Sequence, residues 1–311
     1  MPGSDPRVAA VVVTYNRRDL IARLVEALRA TPELDEVIVV DNASTDGTTD
    51  LLAELTTGGA PVHVVALQTN TGGAGGFSTG LATAMERGAD LAWLMDDDGI
   101  PEPDCLRRLL ELDGELDFWG PAVLAEHDRS QLCFPIRLPG RTSVVSRMAD
   151  VEAAADPRGL LADIVIPFNG VLVTRELVAE IGLPRQEFFI WGDDHEYRLR
   201  AERAGARIAT VVDAHFLHPA TDDLGTPMMF GRTTYNHTPS DLKHYCMARN
   251  NVVNLREYRG WLHVFAFIVK TVWFYGFTRP SVARLRLSAE GIRAGVRNDF
   301  TGHARFLQAR D

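Results

Sequence analysis

Residues 8–13, VAAVVV, form an unbroken apolar run rich in β-branched side chains, which predicts a strand buried on both faces of a parallel sheet. TYNR (14–17) interrupts it, and Leu20, Ile21, Leu24, Val25 and Leu28 then recur at helical spacing. EVIVVDN (36–42) repeats the strand, with Asp41 and Asn42 at its carboxyl end and STDGT opening a second helix. VHVVAL (62–67) predicts a third strand, and TNTGGAGGF (69–77) leads into a third helix through Met85. LAWLM (91–95) predicts a fourth strand, which breaks off into Asp96, Asp97 and Asp98 before Gly99 and Pro101 turn the chain. Strands and helices that alternate in this way predict a Rossmann-like α/β fold, a mostly parallel, doubly wound central sheet with flanking helices, whose ligands bind at the carboxyl ends of the strands.

Beyond Pro101 the pattern predicts a helix over 101–112 and a strand over 118–124. Periodicity is weak over 126–160, where Pro, Arg and Ser are scattered and no element is assigned. DIVIPFNGVLVT (163–174) predicts two short strands about Pro167 and Asn169, with a helix following from Arg175 to Ile181. The aromatic run FFIW (188–191) passes straight into Asp193, Asp194 and Glu196, and Tyr197, Leu199 and Arg200 start a helix that Gly205 ends. RIATVVDAHFLHP (207–219) predicts one more strand, with His215 and His218 near its end. Residues 258–277, YRGWLHVFAFIVKTVWFYGF, are the most apolar segment, yet they are short for a span and carry Arg259, His263 and Lys270. Two readings stay open for them: a helix lying in the headgroup plane of a membrane, or a helix packed in a core or a subunit interface.

A chain of 311 residues, 46% hydrophobic and 24% charged, has ample material for one large α/β domain with an appendage, or for two modest domains. The net charge of −10 is unevenly spread: residues 249–311 carry eleven Lys or Arg against four Asp or Glu, a surplus of +7 that leaves −17 for residues 1–248. So acidic a body argues against nucleic-acid binding, which needs a positive face. The basic end would be drawn to anionic lipid. Cys105, Cys133 and Cys246 are too few and scattered for a disulfide framework or a zinc site, and no secretory leader precedes the first strand, so the expected location is cytoplasmic.

The polar clusters all fall at predicted strand ends. Three adjacent carboxylates at the end of a buried strand are costly unless a cation or a set of donors neutralises them. A hard divalent ion, Mg²⁺ or Mn²⁺, suits them, since it commonly completes its shell with substrate phosphate and water; a solvated acidic turn is the alternative. The glycines at 72, 73, 75 and 76 lack both the GxGxxG spacing after the first strand and a GK[ST], so neither a dinucleotide site nor a P-loop is supported. They either let the backbone pass close to a sugar or diphosphate or form a flexible turn before a helix. Asp193, Asp194 and Glu196 read either as acids favoured by a helix dipole or as a general base beside an aromatic wall facing a ring-shaped substrate.

The ordered series VVVTYNR, VIVVDNASTDGT, TNTGGAGGF, WLMDDDG, FNG, WGDD and LHP resembles the inverting family 2 glycosyltransferases, which have the A-type glycosyltransferase fold. GGAGGF, DDDG, FPIR (134–137), FNG and FFIWGDD make the chain most similar to the actinobacterial galactofuranosyltransferases of cell-wall galactan, in particular the initiating type. The resemblance implies that Thr14, Asn16, Arg17, Asp41 and Asn42 hold the base and ribose of a UDP-sugar, with Gly72 and Gly73 beside it. It implies that Asp96, Asp98 and His218 bind Mn²⁺ or Mg²⁺ and that Asp97 lies close to the donor sugar. Asp194 corresponds to the general base, and Trp191, Asp193 and Asn169 to the acceptor side. The family's usual Glu-Asp pair is Asp193-Asp194 here.

The implied domains are a catalytic domain over 1–240, with a nucleotide-sugar part to about 125 and an acceptor part beyond, and a basic helical extension over 241–311. The implied acceptor is a lipid-linked glycan, reached from the cytoplasmic face of the membrane; a homo-oligomer stays open. The competing readings are a rhamnosyltransferase using dTDP-rhamnose and a non-catalytic sugar-nucleotide-binding protein.

Overall fold

A computed structural model describes residues 5–55, 61–138, 144–219, 225–229 and 233–307. The apolar run at the start forms strand β1 (Val8–Thr14), every residue of it buried. Because side chains alternate along a strand, Val8, Ala10 and Val12 join the core on one face of the sheet, and Ala9, Val11 and Val13 join the core on the other. Strands β2 (Glu36–Asp41), β3 (Val62–Ala66) and β4 (Leu91–Asp96) lie parallel to it in the order β3-β2-β1-β4. Helix α1 (Arg18–Arg29) packs Ile21, Leu24, Val25 and Leu28 into the first core, and α2 (Thr48–Leu55) adds Leu52. Helix α3 (Gly72–Glu86) covers the second with Phe77, Leu81 and Ala84. It sits very close to β1: a β-carbon on Gly76 would overlap Val13, and one on Gly80 would overlap Val11. The glycine-rich stretch is thus largely helix, and these glycines serve its packing.

The run expected as a helix over 101–112 is shorter, because β5 (Ile100–Pro101) pairs at the sheet edge before α4 (Cys105–Leu110) begins. An edge is where a strand tolerates proline. After β6 (Phe118–Ala125), the stretch left without elements holds β7 (Asp128–Arg137), β8 (Val144–Arg147), α5 (Met148–Glu152) and β9 (Leu160–Ala162). Residues 139–143 of that stretch lie outside the described residues. Only β10 (Asn169–Thr174) forms where two short strands were expected, since Asp163 (φ 64°) and Phe168 (φ 56°) adopt left-handed backbone. It runs antiparallel between β4 and β6, and Thr174 caps α6 (Arg175–Ile181) by accepting from the Leu177 N–H. Helix α7 (Asp193–Ala204) precedes β11 (Ile208–His218), which lies parallel to β6 and antiparallel to β5 and β9.

The chain divides into two compact units. The first, residues 1–184 with 197–220, holds the mostly parallel sheet in the order β3-β2-β1-β4-β10-β6-β11-β5. The second, residues 185–196 with 221–311, holds the first turn of α7 and a hairpin of β12 (Thr226–Met228) and β13 (Thr233–Tyr235). It also holds the helices α8 (Asp241–Tyr258), α9 (Trp261–Trp273) and α10 (Val282–Arg297). Its apolar core gathers Met228, Tyr235, Met247, Phe274 and Tyr275.

Candidate active site

Sheet register brings the carboxyl ends of the parallel strands of the first unit together. Thr14 of β1 lies beside Asp41 of β2, and Val13 lies beside Asp96 of β4, so the polar residues that end these strands emerge along one edge. The buried Thr14 hydroxyl donates to Asp97 Oδ2 at 2.6 Å. Asn16, at φ 52°, accepts the Thr45 N–H on Oδ1 at 2.7 Å and donates its own N–H to Ser44 at 2.9 Å. Asp41 accepts from the Ser44 N–H and the Thr49 hydroxyl, while Asn42 holds Gly72 O at 2.8 Å and the Thr71 N–H at 2.8 Å. Asp41 and Asn42 therefore brace the loops around the edge, and the space next to Gly73 is open. An open depression of about 470 Å³ is lined by Asn16, Arg17, Arg18, Asp19, Leu20 and Asp46.

The acid cluster meets His218 through the sheet edge. Ile100 and Pro101 of β5 pair with Leu217 and Phe216 of β11, which brings His218 Nε2 within 3.1 Å of Asp98 Oδ1. Gly99 is required for that turn, because a β-carbon there would overlap the Phe216 ring beneath it. His218 Nδ1 faces Pro219 O at 2.8 Å, and a carbonyl can only accept, so Nδ1 carries the proton. Nε2 therefore presents a lone pair or a second proton to the carboxylate. Among the described residues Asp98 Oδ1 has no aligned hydrogen bond despite this short approach, and the buried Asn169 Oδ1 has none either. Asn169 pairs with Met95, one residue before the acids.

Arg17 Nη1 lies 2.5 Å from Asp98 Oδ2 and 3.1 Å from Asp97 Oδ1. Burial drives the Asp97 carboxyl up to about 6, although Arg17 and Thr14 work against it. Burial would raise Asp98 too, yet His218 and Arg17 hold it well below the usual carboxylate range. Burial would lower His218, but Asp98 carries the imidazole up to about 10. An imidazole nitrogen 3.1 Å from a carboxylate oxygen that has no aligned hydrogen bond is a pair of donor atoms that fits a small hard cation. Among the described residues no three His, Cys, Asp or Glu side chains enclose an ion by themselves. Of the three residues expected to bind a metal, the structure brings Asp98 and His218 together, and Asp96 ends β4 two positions before Asp98.

The remaining expected residues lie in the second unit. Trp191 (φ 71°) is half-buried against the core of Met228, Tyr235 and Phe274. Asp193 is buried in the first turn of α7, and Glu196, also buried, accepts from the Tyr258 hydroxyl at 2.6 Å. Asp194 is the half-exposed acid of the three, and its Oδ1 accepts the His195 N–H at 2.7 Å.

Three residues that the sequence pattern did not single out hold this turn in place. Asn250 Nδ2 reaches the carbonyls of Phe188, Ile190 and Trp191 at 3.1, 3.1 and 2.7 Å, and Asn254 Nδ2 reaches that of Gly192 at 2.9 Å. Arg249, wholly buried, donates to the carbonyls of Phe188 at 2.7 Å and Phe300 at 3.1 Å and to Asn250 Oδ1 at 2.8 Å. The signal for them was present: MARNNVVN (247–254) sets a guanidinium and three amides into an apolar helical run. Polar groups so placed must find partners when buried.

Residues 9–120 match the family described as Glycosyl transferase family 2. The chain is 35% identical over 249 residues to the galactofuranosyltransferase GlfT1 of Mycobacterium tuberculosis, covering 78% of this chain and 80% of that one. It is 31% identical over 310 residues to GlfT1 of Mycolicibacterium smegmatis, covering 94% and 97%. A mannosyltransferase from Pyrobaculum calidifontis, solved in complex with GDP-Man and Mn²⁺, is 19% identical, with a TM-score of 0.55 over 99% of this chain and 80% of that one. That likeness identifies the fold as the A-type glycosyltransferase fold.

Proposed function

Because the chain belongs to glycosyl transferase family 2, we propose that it transfers galactofuranose from UDP-galactofuranose to a lipid-linked glycan, with inversion at the anomeric carbon. The observation that carries this is the likeness to the galactofuranosyltransferase GlfT1 along nearly the whole of both chains, nucleotide and acceptor portions alike. In the transfer the acceptor hydroxyl attacks the anomeric carbon, the bond from that carbon to the phosphate oxygen breaks, and UDP leaves with the electron pair. Asp194 takes the hydroxyl proton, a role that suits the accessible acid of α7. A single displacement inverts the centre and needs no carboxylate nucleophile. Asp98, His218 and Asp96 would hold Mn²⁺ or Mg²⁺, which supplies neutralisation of the diphosphate charge. Thr14 fixes Asp97 beside this cluster, and Arg17 adds positive charge at the same edge.

Release of UDP or dTDP across a panel of nucleotide sugars tests the donor. UDP-galactofuranose should be the preferred substrate. Preference for dTDP-rhamnose would assign the chain to rhamnosyl transfer, and no turnover of any donor with a lipid acceptor present would make it a binding protein.

A further inference from the structure

Helix α9 is apolar nearly all round, but its fold partners cover only one side. Val264, Thr271, Phe274 and Tyr275, along this helix and the π-turn that follows it (Phe274–Thr278), are buried at 2% exposure or less. Leu262 is 77% exposed, Phe265 64%, Trp261 58%, Val272 53% and Val269 43%. At 3.6 residues per turn these five fall within an arc of about 100°, a continuous outward stripe. Phe277, just beyond, is exposed as well.

Positive charge flanks this stripe at both ends. Arg259 precedes the helix and Arg279 follows it, both exposed, and the Arg256 guanidinium lies 6.0 Å from the Trp261 ring centre. Residues 256–297 hold eight Lys or Arg against two Asp or Glu. We propose that this outward face of α9 docks on an anionic membrane surface, with Trp261, Leu262, Phe265, Val269 and Val272 in the acyl boundary and the cations among the headgroups. The helix lies along the bilayer and not across it. The segment Trp261–Thr278 is long and apolar enough to cross a membrane by length and composition alone, but it carries Lys270, and Val264, Thr271, Phe274 and Tyr275 on its inner side are already buried in the fold. A second copy of the chain fits this face less well, because a two-fold contact sets the same patch against itself and would bring these cations together. An anionic lipid surface instead attracts each of them.

The proposal does not depend on which sugar is transferred, and its test uses no donor or acceptor. The full chain is sedimented with vesicles of phosphatidylcholine alone and of phosphatidylcholine with phosphatidylglycerol at about 3:1. The protein should pellet with the anionic vesicles, much less with the neutral ones, and should be released by salt. Leu262→Glu/Phe265→Glu should weaken anionic-vesicle binding by about tenfold or more while UDP binding and the far-UV circular dichroism stay unchanged. Wild-type protein left in the supernatant of anionic vesicles would overturn the proposal. So would a wild-type dimer in analytical ultracentrifugation that the double variant converts to monomer with no difference in vesicle binding, which would make the face an interface between copies.

Discussion

Asn250→Ala tests whether the turn ahead of Asp194 is held from α8. The two hydrogens of the Asn250 amide serve the carbonyls of Phe188, Ile190 and Trp191, and its oxygen accepts from the buried Arg249. Two neutral hydrogen bonds at about 1 kcal/mol each, and one to a charged group at about 1.5–3 kcal/mol, put the loss at about 3.5–5 kcal/mol before the turn relaxes. Relaxation is favoured because Phe189 (φ 65°) and Trp191 (φ 71°) sit in left-handed backbone, which costs non-glycine residues on the order of 1–3 kcal/mol each. The turn should shift and carry Asp194 out of position. A displacement of this kind should lower kcat by about 10²-fold, with kcat/KM falling equally, while UDP affinity in Mn²⁺ holds, since the nucleotide residues hang on the strand ends of the sheet. Melting should fall by about 5–10 °C. Steady-state kinetics and calorimetry read the two quantities separately. Normal kcat with a lowered melting temperature would reduce Asn250 to a structural role, and lost UDP binding would refute the division of labour.

Asp98→Asn keeps the shape of the side chain but removes the charge that faces His218 and Arg17, so UDP binding that depends on Mn²⁺ should weaken at least about tenfold. Calorimetry with and without chelator checks it, and binding that stays as tight as wild type would move the metal elsewhere. The buried His244 touches Ser288 Oγ at 2.8 Å and Tyr275 Oη at 3.2 Å, and burial, with Arg284, lowers its pKa to about 4. Above about pH 6.5 the imidazole is neutral folded or unfolded; below that only the unfolded chain takes the proton, so stability drains away as pH falls from about 6.5 to about 4, by about 3 kcal/mol in all. His244→Gln should flatten that acid limb of the melting curve, and an unchanged slope would show that other groups set it.

The strands of the first unit were readable: VAAVVVT, EVIVVD and LAWLMD announce buried strands, and the polar residues that stop them come together along one edge. The meeting of Asp98 with His218 was not readable from periodicity. It depends on the two-residue β5 and on Phe216 fitting under Gly99, neither of which leaves a repeating pattern. Strand β7 escaped notice because its first three residues are exposed and polar, so Leu132 and Cys133, buried in its middle, look like isolated apolar positions. For Arg249, Asn250 and Asn254 the polar signal lay in the helix, but what they bind did not. Their partners are backbone carbonyls about sixty positions away in the chain, and carbonyls have no sequence signature.

The central claim is tested most directly by mass spectrometry of products formed from UDP-galactofuranose, Mn²⁺ and synthetic lipid-linked glycan acceptors, with wild-type protein and Asp194→Asn side by side. The wild type should add one galactofuranosyl residue, and the variant should show a kcat lower by a factor on the order of 10² to 10⁴ with UDP affinity unchanged. Transfer from dTDP-rhamnose in place of UDP-galactofuranose, or near-normal turnover by Asp194→Asn, would contradict that claim.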